Sequence, residues 1–164
     1  MKALSMWQPW ASAVALGSKR IETRAWATKY RGPLAIHAAK RRVIGELIHY
    51  GCCRYWEGAL YSVSHGPDGK QYLDEALPFG AVVAVCELVA CRPTGSFTQD
   101  ELDEVRRPLG RTDELYAWTE RQMGDFRLGR YGWILENIRM VDPPVLFRGR
   151  QGLFNVPDDL IKEV

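Results

Sequence analysis

The stretch "GAVVAVCELVAC", Gly80 to Cys91, constrains the fold more than any other. It is strongly apolar and rich in valine, a residue that suits a pleated surface, so it reads as a long strand near the centre of a sheet. Shorter strands are expected at residues 3–6, 20–26 and Leu34 to Ala38, and a long one from Tyr131 to Val141. Pro143-Pro144 is expected to break that last strand, after which "VLFR" resumes, "GRQG" turns and "LFNV" follows. A helix is expected from Gln8-Pro9, with Pro at the first helical position. Trp10, Ala13, Val14 and Leu16 form its apolar side and Gly17 stops it. Residues 40–50 have an amphipathic pattern (Val43, Ile44, Leu47, Ile48), ended by Gly51. Thr98-Gln99-Asp100-Glu101 is a capping-box sequence that starts another helix. A further helix is expected from about Asp113 to Met123, and a short one after Pro157. Tyr30-Arg31-Gly32-Pro33 reads as a turn, and 62–80 as a loop. Strands outnumber helices without strict alternation, which argues against a doubly wound sheet. The expectation is an α+β chain: a small mixed barrel or rolled sheet with helices at its rim, one domain over 1–164.

Charge is uneven. Residues 1–56 carry ten Lys/Arg against two Glu, residues 57–128 seven against thirteen, and residues 129–164 five of each. A basic N-terminal third suits a phosphate-rich partner, although the same charges could scatter over several faces. No apolar run approaches the roughly 20 residues that span a bilayer, so no membrane partner is expected. The first 18 residues only faintly resemble a secretory signal, because Gln8-Pro9 and Ser12 interrupt the apolar stretch. Cys52, Cys53, Cys86 and Cys91 have spacing that suits neither zinc nor a disulfide framework, which points to reduced thiols and a cytoplasmic protein. His37, His49 and His65 are not spaced as metal ligands, and nucleotide-binding, metalloprotease and serine-hydrolase motifs are absent. No metal and no cofactor is expected.

The chemistry-bearing stretch is "MWQPWASAVALGSKRIETRAW", Met6 to Trp26. Strand alternation puts Arg20, Glu22, Arg24 and Trp26 on one face and Ile21, Thr23 and Ala25 on the other. Lys19 lies just before that strand. Glu22 between cations would orient a guanidinium, hold the Lys19 ammonium or serve as a base, and Arg24 could hold a phosphate in a forked contact. On residue pattern alone the same ladder also reads as surface salt bridges, which contribute little. Trp26, on the charged face, is the better candidate to stack on an unpaired base, Trp10 suits the core, and for Trp7 both readings stand. His37 reads as a sheet histidine, and Lys40 with its basic neighbours as a solvated helix start with a lesser phosphate-binding reading.

The chain resembles the ASCH family, named for homology to activating signal cointegrator-1. Three segments carry the likeness: the Ser and Gln-Pro-Trp-Ala pattern in Leu4 to Ala11, G-x-K-x-x-E-x-R in Gly17 to Arg24, and R-G-x-L-x-I in Arg31 to Ile36. "GAVVAVCELV" and "YGWILENIRMVDPPVLFRGRQGLFNVP" are similar to the family's apolar and closing strands. The resemblance implies a PUA-like small mixed β-barrel with flanking helices. It also implies a cleft that binds RNA or single-stranded nucleic acid around the G-x-K-x-x-E-x-R segment. Residues carried into that site are Lys19, Arg20, Arg24, Trp26, Gln8, Trp7, Arg31, His37 and Lys40, with Lys19 and Glu22 as catalytic candidates. Some relatives look like ribonucleases. Metal-independent cleavage would use Glu22 or His37 as base and Lys19 or Arg24 as cation. A smaller branch resembles N4-acetylcytidine amidohydrolases with a Lys, a Thr three residues later and a distant Glu. Here Glu22 stands at the Thr position, Thr23 is offset by one, and the distant Glu could be Glu101, Glu104, Glu114 or Glu120. A non-catalytic interaction module is the remaining alternative.

Overall fold

The computed structural model describes residues 1–41, 77–106 and 118–161. In chain order its elements begin with β1 (Lys2–Met6), α1 (Trp10–Ala15), β2 (Ile21–Arg24) and β3 (Gly32–Ala38). Then come β4 (Ala81–Pro93), α2 (Gln99–Asp103), β5 (Val105–Arg106), β6 (Trp118–Thr119) and α3 (Glu120–Met123). β7 (Tyr131–Leu146) and β8 (Leu153–Asn155) follow, and a short 3-10 turn at Asp158–Ile161 is the last described element. Six strands form one mixed sheet in the order β2-β7-β4-β3-β1-β8, curled into a half-barrel, and β5 pairs with β6 apart from it. The fold is therefore α+β and PUA-like, as expected.

The valine-rich segment is indeed central: β4 is hydrogen-bonded to β3 on one side and β7 on the other. α1 covers one face of the sheet. Its Ala11 and Val14 pack with Leu4, Met6, Leu34, Ile36, Leu88, Trp133 and Leu135. The opposite face has its own buried cluster, with Ala3, Ala35, Val82, Val85, Val141, Phe154 and Val156. β1 and β3 therefore bury alternate residues on both faces. Leu34, Ile36 and Ala38 pack into the core beneath α1, whereas His37 faces this second cluster, edge-on to Phe154 at 5.9 Å.

Three local expectations change. Pro9 is the N-cap residue of α1 instead of its first helical residue, and the missing cap is supplied by Gln8, whose Oε1 accepts from Ser12 N at 3.1 Å. Pro143-Pro144 does not end the long strand, because β7 runs on to Leu146. Pairing with β4 passes from Ala84↔Met140 to Val82↔Val145, so both prolines fall in a bulge where no ladder N–H is needed. The helix expected from Asp113 begins only at Glu120, after the strand pair of β6, while 113–117 lie outside the described residues. Beyond Arg41, the helix expected over 40–50 also lies outside them, as do residues 62–76 of the loop expected over 62–80. The Thr98 capping box is present: Thr98 Oγ1 accepts from Glu101 N, and Glu101 accepts from Thr98 N at 2.7 Å.

Candidate functional site

The G-x-K-x-x-E-x-R segment is shaped by its glycine. Gly17 has φ +74, a left-handed conformation that costs little without a Cβ, and it turns the chain out of α1. Lys19 then points into the protein and is 0% exposed. Its Nζ donates to Ile21 O at 2.5 Å and to Met123 O at 2.9 Å, and lies 3.4 Å from Glu22 Oε2. Two of its three donors are hydrogen-bonded to backbone carbonyls and its charge is balanced by the Glu22 carboxylate, as burial of a charge demands. Lys19 thus stands behind the wall of the site, not on its surface.

Glu22 is the bridge. Its other oxygen, Oε1, is 2.9 Å from Arg24 Nε, a close ion pair not aligned as a hydrogen bond. Arg24 Nη2 donates to Ser5 O at 2.7 Å, tying β2 to β1. The far wall comes from α3 and the loop after it. Asp125 N donates to Thr23 Oγ1 at 2.9 Å, and Arg130 reaches Thr23 O at 3.3 Å and Asp125 Oδ2 at 3.4 Å. Glu120, fully buried, accepts from Arg20 N at 2.6 Å and Ile21 N at 3.1 Å, so α3 is clamped to the start of β2 from both ends. Asp125 stays ionised down to a pKa of about 2, chiefly because the Arg127 guanidinium donates to it, with Arg127 N and the Arg130 charge adding to the effect.

Between these walls lies an open cleft of about 690 Å³. Ser5, Trp7, Trp10, Glu22, Arg24 and Trp26 line one part, and Gln122, Asp125 and Arg130 another. Trp7 is 51% exposed and Trp26 37%, and the Trp26 ring meets buried Trp133 edge-on at 4.6 Å. Trp10 has a double role, packing against the core and lining the cleft. The cleft is not basic. Arg24 and Arg130 are balanced by Glu22 and Asp125 among its lining residues, and the charge of Lys19 is taken up by Glu22 behind them.

A second cleft of about 950 Å³ adjoins the first, sharing Ser5 and Trp7. His37 and Lys40 belong here. His37 is 1% exposed. Its Nε2 is 2.9 Å from Phe147 O, so it carries the proton, and Nδ1 accepts from Ser5 Oγ at 3.1 Å. Burial pushes the His37 pKa below its ordinary value.

The remaining sequence candidates fall elsewhere. Arg20 is not on the same face as Glu22: it precedes β2 and lines a separate small cleft with Glu136 and Asn137. Gln8 is buried, its amide nitrogen spent on Ser12 Oγ and Pro78 O, both at 2.8 Å. Arg31 caps its own turn, donating to Thr28 O at 3.0 Å and Tyr30 O at 2.6 Å. Sequence reasoning missed Ser5, Gln122, Asp125 and Arg130, and named Glu120 only as one of four candidates for a distant glutamate.

A sequence model of the ASCH domain matches residues 4–145, most of the chain. The chain belongs to the ASCH domain family. Mouse (Mus musculus) activating signal cointegrator 1 is 54% identical over 100 residues, which make up 58% of this chain and only 15% of that much longer protein. Two crystal structures of single-substitution mutants of ZmASCH from Zymomonas mobilis share the fold at 14% identity. Their TM-scores are 0.52 and 0.51, with 99% of this ASCH chain and 94% and 92% of theirs aligned. Among the described residues of this ASCH protein no helix is long and apolar enough to cross a membrane, and no cluster of His, Cys, Asp or Glu could hold a metal ion.

Proposed function

We propose that this ASCH protein binds RNA or other single-stranded nucleic acid by admitting an unpaired base to the cleft beside the G-x-K-x-x-E-x-R segment. The observation that carries this reading is the pairing of two exposed indoles, Trp7 and Trp26, with a charge-balanced polar floor of Glu22, Arg24, Asp125 and Arg130. A nucleobase offers flat apolar faces and a rim of donors and acceptors. Stacking on aromatic side chains contributes about 1–3 kcal/mol per base, and fixed carboxylate and guanidinium groups suit its edge. Lys19 serves this site as a positioning residue by holding Glu22 and Met123 O, not as a phosphate contact.

Titration of a single-stranded RNA against wild type and Trp26→Ala, followed by anisotropy, tests the reading. Loss of one stacked base corresponds to about 5- to 150-fold weaker binding in the variant. Unchanged affinity, or no binding by wild type, rejects it. Hydrolysis by a Lys base gains no support from the geometry, since the buried Lys19 ammonium is held by two backbone carbonyls and paired with Glu22. Ribonuclease action would ask Glu22, held between Lys19 and Arg24, to serve as the base. RNA cleavage in EDTA that disappears in Glu22→Gln would replace the binding reading with that one.

A further inference from the structure

The positive charge that the motif cleft lacks is concentrated next to it. The second cleft is lined by Lys40, Arg148 and Arg150, all exposed, and by no carboxylate among its described residues. Among the described residues none of these three cations has an ion-pair partner. Exposed cations grouped without carboxylates raise the local positive potential and draw anions to it. Trp7 stands on the ridge where the two clefts meet, and the Arg41 guanidinium lies 5.5 Å over its ring.

The β7–β8 loop that carries the two arginines is anchored from below. His37 Nε2 donates to Phe147 O at 2.9 Å, and Gly149 is pressed onto the same histidine. A Cβ at Gly149 would lie 2.6 Å from His37 Nδ1 and 2.7 Å from Ser5 Oγ, so only a residue without one lets the loop settle there. Ser5 closes the connection: its hydroxyl binds His37 in this cleft, and its carbonyl accepts from Arg24 in the other. Flanking a pinned glycine, Arg148 and Arg150 project from a held backbone, the arrangement that makes cations useful as a preformed anion site.

We infer that the second cleft is a phosphate track: a single strand crosses the Trp7 ridge, with its backbone held by Lys40, Arg148 and Arg150 while one base enters the motif cleft. This rests on the proposed base-binding function and adds to it a division of labour. One cleft reads a base and the other, completed by the β7–β8 loop, supplies the salt-dependent affinity. Unlike the motif cleft, the track is indifferent to sequence because phosphates carry none.

The test compares a trinucleotide with a dodecanucleotide of the same single-stranded composition, across salt, for wild type and Arg148→Ala/Arg150→Ala. Each phosphate contact on a single strand contributes about −0.7 to the slope of log K on log salt. Losing two contacts flattens the dodecanucleotide slope by about 1.4 and weakens its binding about 25-fold at 0.1 M salt, taking 1 M as the salt where the term vanishes. Trinucleotide affinity, set by the motif cleft, is expected to stay the same, as is the thermal midpoint, since both arginines are exposed. A dodecanucleotide slope that does not change in the double variant overturns the track while leaving the base cleft standing. Failure of wild type to bind either oligonucleotide overturns both.

Discussion

Replacing Lys19 by methionine isolates what the buried ammonium does, because methionine keeps most of the stem volume and removes the charge. Ile21 O and Met123 O would each lose a charge-assisted hydrogen bond, about 1.5–3 kcal/mol apiece, and Glu22 would keep only Arg24 as a cation. The two lost bonds sum to about 3–6 kcal/mol, and removing one member of a buried ion pair measures about 3–5 kcal/mol, so about 3–5 kcal/mol is expected. For a chain of this size each kcal/mol lowers the thermal midpoint by about 2–4 °C, giving a drop of about 6–20 °C. Urea unfolding followed by tryptophan fluorescence reads this out directly, with buried Trp133 as a reporter. The protein that remains folded should bind nucleic acid with the wild-type salt slope, because Lys19 touches no phosphate. A loss below about 1 kcal/mol at unchanged m value, or a salt slope flattened by about 0.7, would refute the interior role assigned to Lys19.

Two further outcomes follow from the second cleft. Burial lowers the His37 pKa, so the unfolded chain binds the proton more readily than the folded one below the ordinary value of about 6.5. Stability therefore falls as pH drops from about 7 towards 5, and unfolding curves of His37→Gln should lack that part of the pH dependence. Gly149→Ala must displace either the loop or the His37–Ser5 pair; overpacking of this kind costs about 1–3 kcal/mol, and dodecanucleotide affinity should fall with it while trinucleotide affinity holds.

Much of the fold was legible because its signals are local. The valine run of β4, the Gly17 stop and the Thr98 capping box each depend on a few neighbouring residues, and each stands where the sequence placed it. Pro143-Pro144 misled because proline is compatible with a strand at a bulge, and the bulge is a property of the pairing with β4. In the site, Glu22, Arg24, Trp26 and Trp7 come together largely through one strand and the segment before α1. Alternation alone could not place Lys19 or Arg20, which precede the strand and turn inward and away. Glu120, Asp125 and Arg130 lie about a hundred residues further along, and nothing local marks them as partners of β2. Arg148 and Arg150 lie in "VLFR" and the "GRQG" turn, but only the contact of Gly149 with His37 and Ser5 gives that turn a fixed place beside Trp7.

The central claim is that the motif cleft takes a base that is not paired. The most direct measurement is the affinity of the wild-type protein for one RNA sequence offered as a single strand and as a blunt duplex at the same salt. Exposing a base from a duplex costs a few kcal/mol, so the single strand should bind at least about tenfold more tightly. Equal affinity for the two, or preference for the duplex, would contradict the account.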